Sequence, residues 1–169
     1  MPRVRNTEGL GVVTDHDQPA SLRIGWATSD ADILGCLPCL RELIPRLPDD
    51  GNDFVARVNR MQQSGYRLMA VWSGDIIVAC ALYRVIEDLI RGRYLHIDEL
   101  VTTRGLRSNG IGSRLLDALI KEARHRQCRA VRLECAVRNR RAHHFYFREG
   151  LRVTGLRFAA VLERDPGGK

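Results

Sequence analysis

The sequence predicts a mixed α/β domain with two early helices, an antiparallel meander, a strand–helix–strand unit, and a final helix and hairpin. The chain has 169 residues, 44% of them hydrophobic and 28% charged, which is typical of one globular domain with its own core. Apolar residues recur at helical spacing before residue 65, at strand-like spacing from there to residue 103, and at helical spacing again over 110–126. These two changes of period divide the chain into its predicted elements.

The first half is predicted to contain one strand, two helices and a hairpin. Ser29 and Asp30 form a capping signal for the first helix. Pro38 is expected to kink or restart that helix, and Gly74 lies in the tight turn of the hairpin. The predicted strands of this half lie at 22–27, 66–72 and 76–86, and the helices at about 30–44 and 54–65.

The second half is predicted to contain four strands and two helices. The helix over 110–126 is the clearest element, because its apolar residues form a single stripe. Asn139 is a typical residue to cap the short helix that ends at Gly150. The predicted elements lie, in order, at 94–103, 110–126, 130–137, 139–150, 151–155 and 157–163.

The two ends of the chain are predicted to lie outside the folded domain, which spans 21–164. Residues 1–20 show no periodicity and are expected to form a flexible arm, and residues 165–169 form a polar tail. No segment has the pattern of a secretory leader or a membrane span. We therefore expect a cytoplasmic protein with no membrane partner.

Five cysteines are an odd number for a disulfide framework, and we expect free thiols. Cys36 and Cys39 have the spacing of a redox pair, but they lie inside a predicted helix rather than at its start. No second pair at matching spacing indicates zinc, and His143 and His144 are expected on a helix surface. We expect no metal.

The formal net charge of +7 is unevenly distributed. Residues 1–100 carry 11 Lys/Arg and 14 Asp/Glu, whereas residues 101–169 carry 16 and 6, so the second half alone has a net charge of +10. Such a half suits a polyphosphate ligand or a nucleic acid. Only 6% of the chain is aromatic, which leaves no stacking platform for single strands, and a nucleic-acid partner is not expected.

The segment 104–112 links a predicted strand to the strongest helix through a glycine-rich turn. Free N–H groups and the dipole at a helix start favour phosphate binding. A Walker loop would need a lysine where the chain has Ile111, and a dinucleotide fingerprint would need a glycine where it has Leu115. The pattern Arg/Gln-x-x-Gly-x-Gly/Ala is filled by Arg107-Ser-Asn-Gly110-Ile-Gly112.

This loop resembles the motif with which the GNAT superfamily of acetyl-CoA-dependent N-acetyltransferases cradles the pyrophosphate of coenzyme A. A second block, 139–151, is similar to that family's Asn, Ala, Phe-Tyr and Gly-Phe pattern, although Leu151 stands in place of the last Phe. The resemblance implies a single GNAT-like α/β (α+β) domain. Its mixed central sheet of about six to seven strands would be splayed between the fourth and fifth and flanked by about four helices.

The resemblance also implies a site for acetyl-CoA as co-substrate. In the family, backbone N–H groups near a bulge in the fourth strand hold the thioester, and those of the loop hold the pyrophosphate. The residues implied to bind the coenzyme are Leu100, Val101, Thr102, Arg107, Ser108, Asn109, Gly110, Ile111, Gly112, Ser113, Asn139, Phe145 and Tyr146. Arg138, Arg140 and Arg141 are candidates for the 3′-phosphate, although a solvated basic face accounts for any one of them.

Three residues are the candidates for acid–base chemistry. The resemblance places Tyr146 near the sulfur, where a phenol with a pKa near 10 could protonate a thiolate; otherwise Tyr146 only packs its helix. Asp98 is the first candidate for the base and His96 the second, because a regular strand puts them on one face with Leu100. Glu99 points the other way unless a bulge reverses it, and some family members need no such base.

The function implied is transfer of an acetyl group from acetyl-CoA directly to a primary amine of a small molecule, peptide or protein. The acidic residues of the first half are expected to favour a cationic amine; they are Asp30, Asp32, Asp49, Asp50 and Asp53. Two alternatives stay open, a non-catalytic acyl-CoA-binding module and an acetyltransferase acting on an RNA-linked amine. A homodimer is compatible with the sequence.

Overall fold

The computed structural model describes residues 21–160. These residues form one five-stranded sheet with the strands in chain order. The first four strands are antiparallel, and the fifth runs parallel to the fourth. The strands are β1 (Leu22–Trp26), β2 (Tyr66–Ser73), β3 (Ile76–Asp88), β4 (Gly92–Thr102) and β5 (Val131–Leu133).

Helices cover both faces of this sheet. Ser29 caps the first helix by accepting a hydrogen bond from the backbone of Asp32. That helix is continuous through Pro38, so it does not restart there. Pro38 cannot donate a backbone hydrogen bond to the carbonyl of Leu34, and Leu34 is 45% exposed. The helices of the described residues are α1 (Asp30–Leu43), α2 (Gly51–Gln63), α3 (Ile111–His125) and α4 (Arg140–Arg148).

The strands place alternate residues in two separate cores. Leu68 and Leu82 point towards α1 and α2, whereas Tyr83, Leu95 and Ile97 point towards α3. All five cysteines are free thiols, as predicted, and Cys36, Cys39 and Cys80 are buried in the core under α1 and α2. Burying each large aliphatic side chain contributes about 1.5–3 kcal/mol, so both cores hold the sheet in place.

The fold class is confirmed, but the predicted strand count of six to seven is too high for the described residues. The predicted strand at 130–137 shrinks to three residues, and residues 151–160 pair with no strand. Segment 151–160 is joined to this region by side chains: Arg132 of β5 donates to Thr154, and Glu134, just after β5, pairs with Arg157. A strand exists only through backbone bonds to a neighbour, and apolar alternation alone cannot provide that neighbour.

Several expectations for the chain ends lie beyond the described residues. These are the arm at 1–20, the tail at 165–169, and the part of the last predicted strand after residue 160. Between residues 21 and 160, no helix has both the length and the apolar character needed to cross a membrane.

Candidate active site

A β-bulge in β4 determines which side chains reach the site. Ile97 pairs with Tyr83 on β3, and Glu99 pairs with Leu82, so Asp98 is an extra residue in the ladder. A bulge of this kind bends the strand and shifts its alternation by one residue. It occurs slightly earlier in β4 than the resemblance implied.

The bulge reverses the predicted facing of the residues that follow it. Val101 lies in the core under α1 and α2, whereas Leu100 packs against the α3 core. Glu99 alternates with Leu100 and therefore shares the face of Val101. The expectation that Leu100 shares a face with His96 is wrong for this reason, and the bulge gives Glu99 the reversed facing that the sequence had left open.

The parallel strands β4 and β5 separate directly after the bulge begins. They pair only over Leu95–Ile97 and Val131–Leu133, which matches the predicted splay between the fourth and fifth strands. The gap is a cleft of about 190 Å³. Its polar or reactive lining residues are Asp98, Glu99, Glu134, Cys135, Asn139 and Tyr146. Since β5 gives no ladder partner to residues 98–102, backbone N–H groups on that edge of β4 are available to a carbonyl in the cleft.

Glu99 is the carboxyl group of the cleft with a perturbed pKa. Burial, and secondly the charge of Asp98, raise the pKa of Glu99 above its ordinary value. Asp98 itself is engaged, because its Oδ1 accepts a hydrogen bond from Arg84 at 3.1 Å and lies 3.9 Å from Nε2 of His96. Burial lowers the pKa of His96, and this outweighs the opposing effect of Asp98.

Tyr146 is positioned by α4 and by the start of α3. Asn139 caps α4 by accepting a hydrogen bond from the backbone of Ala142 at 3.2 Å, as predicted. The ring of Phe145 packs edge-on to Tyr146 and closely approaches Gly112, where a Cβ would lie 3.4 Å from it. Burial raises the pKa of Tyr146 to about 12, with smaller contributions from Cys135 and Glu99. The phenol is therefore protonated, and available as a donor, at neutral pH.

The glycine-rich loop presents backbone N–H groups at the start of α3. Ser108 and Gly110 have positive φ values of 70° and 75°, a pattern that turns neighbouring N–H groups towards one point. The first turn of α3 has no side-chain cap, and among the described residues no atom lies within 4 Å of a Cβ placed on Gly110. An anion such as a pyrophosphate fits this open, uncapped helix start.

Glu42, at the end of α1, ties this loop to the helix on the opposite face of the sheet. Its Oε1 accepts a hydrogen bond from the hydroxyl of Thr103 at 2.6 Å. Its Oε2 accepts from the backbone N–H of Arg104 at 2.9 Å and from Nη2 of Arg107 at 3.2 Å. Nε of Arg107 also donates to the carbonyl of Thr102 at 2.9 Å. The predicted coenzyme residue Arg107 thus shapes the loop with its side chain.

The other predicted site residues fall into two groups. Those around the loop and in β4 come together: Leu100, Val101, Thr102, Arg107, Ser108, Asn109, Gly110, Ile111, Gly112 and Ser113. The hydroxyl of Ser113 donates to Glu149 at 2.7 Å and joins α3 to α4. Arg138, Arg140 and Arg141 are exposed at the start of α4. No group of three or more possible metal-binding side chains occurs in residues 21–160.

Three of the five aspartates expected to favour a cationic amine form hydrogen bonds within or between α1 and α2. Asp32 accepts from the hydroxyl of Ser29, and Asp50 caps α2. Asp30 accepts from Asn59 beside a shallow groove of about 360 Å³ between α1 and α2. That groove lies at the end of α1 far from Glu42, about 20 Å along the helix axis from the cleft.

The cleft places a carboxyl group and a phenol beside an opened strand edge, an arrangement that suits transfer of an acyl group from a thioester carrier. The chain belongs to the GNAT family: the model described as "Acetyltransferase (GNAT) family" matches residues 18–150. The resemblance inferred from the sequence is thereby confirmed.

Two relatives carry N-acetyltransferase names. The chain is 33% identical over 97 residues to the aminoalkylphosphonate N-acetyltransferase of Salmonella typhimurium, covering 57% of this chain and 62% of that protein. It is 33% identical over 122 residues to the uncharacterized N-acetyltransferase YhdJ of Bacillus subtilis, covering 70% of this chain and 83% of that protein. The match therefore spans less than two thirds of the first relative.

Solved structures share the fold at lower identity. An acetyltransferase of Trypanosoma brucei superposes with a TM-score of 0.72 at 20% identity, covering 84% of this chain and all of that one. The aminoglycoside N-acetyltransferase AAC(6')-Iy in complex with CoA has the same TM-score at 12% identity, covering 89% and 98%.

Proposed function

We propose that this chain transfers the acetyl group of acetyl-CoA directly to the primary amine of a small molecule. The observation that carries the proposal is the cleft between β4 and β5, which Glu99 and Tyr146 both line and in which Glu99 contributes to the raised pKa of Tyr146. Family membership supports the reaction class, and the small-molecule acceptors in the names of two similar proteins support the kind of amine.

The residues present fit coenzyme A. The N–H groups around Ser108 and Gly110 suit its pyrophosphate, and the opened edge of β4 after Asp98 suits its pantetheine arm and thioester carbonyl. The net charge of +10 in residues 101–169 favours such a polyphosphate. When bound, acetyl-CoA supplies an activated acetyl group and a thiolate leaving group.

Glu99 is the proposed general base. An amine with a pKa of about 10 must lose a proton before it attacks, and a carboxylate with a raised pKa is a better proton acceptor than an ordinary one. Asp98 remains a second candidate and His96 a third, but Arg84 already holds the carboxylate of Asp98. In the reaction the new C–N bond forms, the C–S bond breaks, and Glu99 takes the proton from nitrogen.

Tyr146 is proposed to hydrogen-bond the departing sulfur. Full proton transfer from a phenol of pKa about 12 to a thiolate of pKa about 8.5 is uphill by about 5 kcal/mol. A hydrogen bond to the developing thiolate requires no such transfer. Its role is therefore closer to that of a donor than to that of the acid implied by an unperturbed tyrosine.

A thiol-release assay with acetyl-CoA and a panel of amines tests the proposal. We expect release that depends on the amine and a product whose mass is that of the acetylated amine. Tight binding of acetyl-CoA without release on any small amine, peptide or RNA-linked amine would instead identify a non-catalytic acyl-CoA-binding module.

A further inference from the structure

A row of polar side chains crosses four strands beside the cleft. Tyr66 on β2 pairs with Arg84 on β3, Arg84 pairs with His96 on β4, and His96 pairs with Arg132 on β5. Directly paired residues point to the same face of a sheet. These four residues, called here the cross-strand row, therefore lie side by side on the face of α1 and α2.

Aromatic rings hold the two arginines of this row in place. The guanidinium of Arg84 lies 4.7 Å from the ring centre of Tyr66, and that of Arg132 lies 5.8 Å from the ring centre of Tyr94. Nη2 of Arg132 also donates to the hydroxyl of Thr154 at 3.1 Å. Such contacts restrict a long side chain and lower the entropy lost when it binds an anion.

Among residues 21–160, the ion pairs of this region leave one group of each sign without a partner, the carboxylate of Glu99 and the guanidinium of Arg132. Asp98 is paired with Arg84, and Glu134 with Arg157. Arg132 has no carboxylate partner among residues 21–160, and Nε of Arg84 is a buried donor without a partner in the same part of the chain. Burial holds the pKa of His96 below its ordinary value; Asp98 opposes this shift, and the charges of Arg84, Arg157 and Arg132 add to it.

The cross-strand row lies one step along the strands from the proposed base. Leu82 pairs with Glu99, and Arg84 stands two residues further on the same face of β3. Two residues of a strand span about 7 Å. An amine at Glu99 would therefore place a group two or three bonds away near the position of Arg84, and Arg132 follows across His96 on β5.

We propose that the acceptor is an amine that also carries an acid group, a carboxylate, sulfonate, phosphonate or phosphate, which the cross-strand row binds through Arg84 and Arg132. This inference rests on the proposed function and narrows its acceptor. It runs against the cationic amine expected from composition, because Asp30, Asp32 and Asp50 are engaged by other residues of the first half, while the row beside the proposed base carries arginine.

The test compares small amines that differ in charge but little in size. Thiol release is measured with β-alanine and aminoethylphosphonate as acids, ethanolamine as the neutral amine and diaminopropane as the cation. We expect kcat/KM to be at least about 10-fold higher for an acid than for ethanolamine, and lowest for diaminopropane, since a hydrogen bond to a charged group is worth about 10- to 100-fold.

Arg132 is the residue to change, because Arg84 also holds Asp98. We expect Arg132→Gln to raise KM for the acids about 10-fold while ethanolamine changes less than twofold, since the lost contact involves only the acid group. Arg132→Glu should reverse the order in favour of diaminopropane. Arg67→Gln is the matched control, because Arg67 is exposed on β2 and alternates with Tyr66 onto the other face.

Each outcome has a defined meaning. Thiol release that is as fast with ethanolamine or diaminopropane as with the acids overturns this inference and leaves the proposed function intact. An acid preference that Arg132→Gln and Arg67→Gln reduce equally overturns the assignment to the cross-strand row. Absence of release with every amine, with acetyl-CoA bound, overturns the proposed function and this inference with it.

Discussion

The loop at 104–112 and the cross-strand row lie at opposite ends of the β4 segment that lines the cleft, but the chain assembles them differently. The loop is contiguous, and its geometry comes from two positive φ values and one helix start. The row takes Tyr66, Arg84, His96 and Arg132 from four strands and exists only through their register. A binding surface built from neighbours in sequence is visible as a motif, whereas one built across strands is not.

Glu99→Gln tests the proposed general base, and we expect this variant to have the largest effect on turnover. Loss of a general base should lower kcat by about 100-fold or more, with unchanged affinity for acetyl-CoA. Because burial raises the pKa of Glu99, wild-type activity should be present above that raised pKa and fall as the pH drops through it. The variant should lose this acidic limb in a pH–rate profile of kcat/KM.

Asp98→Asn is the comparison for that experiment. If Asp98→Asn lowers kcat more than Glu99→Gln and alone removes the acidic limb, then Asp98, and not Glu99, is the general base. A flat profile for wild type and both variants between pH 6 and 9 would show that neither carboxylate acts as the base.

Gly110→Val tests the loop. A β-branched residue at a φ of 75° is strained and would turn the N–H groups at the start of α3 away from a common point. We expect acetyl-CoA to bind about 10- to 100-fold more weakly by calorimetry, with a modest loss of thermal stability from the same strain. Gly105→Val is the matched control, because Gly105 has an ordinary φ and open surroundings. Equal losses of acetyl-CoA affinity in both variants would show that the backbone conformation of Gly110 does not determine binding.

Tyr146→Phe tests the hydrogen bond proposed between the phenol and the departing sulfur. Removal of a hydrogen bond to a developing thiolate should lower kcat about 10-fold and leave the KM values for both substrates close to wild type. A variant that retains more than half its turnover would show that the ring matters only for packing against Phe145.

Glu42→Gln tests the link between α1 and the loop, with the smallest expected effect. An amide can keep the bonds to Thr103 and the backbone of Arg104 only in part, and it loses the charge that holds Arg107. We expect KM for acetyl-CoA to rise about 3-fold with kcat unchanged. A lower KM would mean that Glu42 competes with the coenzyme for Arg107 rather than ordering the loop.

Local signals account for what the sequence predicted well. The loop at 104–112, the apolar stripe of α3 and the Asn139 cap depend on residues a few positions apart. Such local patterns can be recognised in the amino-acid sequence alone. The splay between β4 and β5 came from the resemblance, and the ladder of three residue pairs agrees with it.

Long-range pairing accounts for what the sequence could not provide. A single extra residue at Asp98 reverses the facing of everything after it in β4, and no local pattern marks that position. Arg84, Arg132 and Glu42 were missed because each is an ordinary surface arginine or glutamate until register or packing brings it to the site. The predicted strand at 151–155 failed for the related reason that alternation does not specify a neighbour.

The distribution of thiols gives the chain a built-in optical reporter. Burial raises the pKa of Cys39 to about 11, and Cys36 and Cys80 are fully enclosed, so a thiol-reactive dye should leave these three unlabelled in the native protein. Cys135 lines the cleft, whereas Cys128 lies beyond the far end of α3, and both are partly exposed. The ratio of dye on Cys135 to dye on Cys128 would then measure cleft occupancy in a single sample, with the second thiol correcting for protein and reagent concentration.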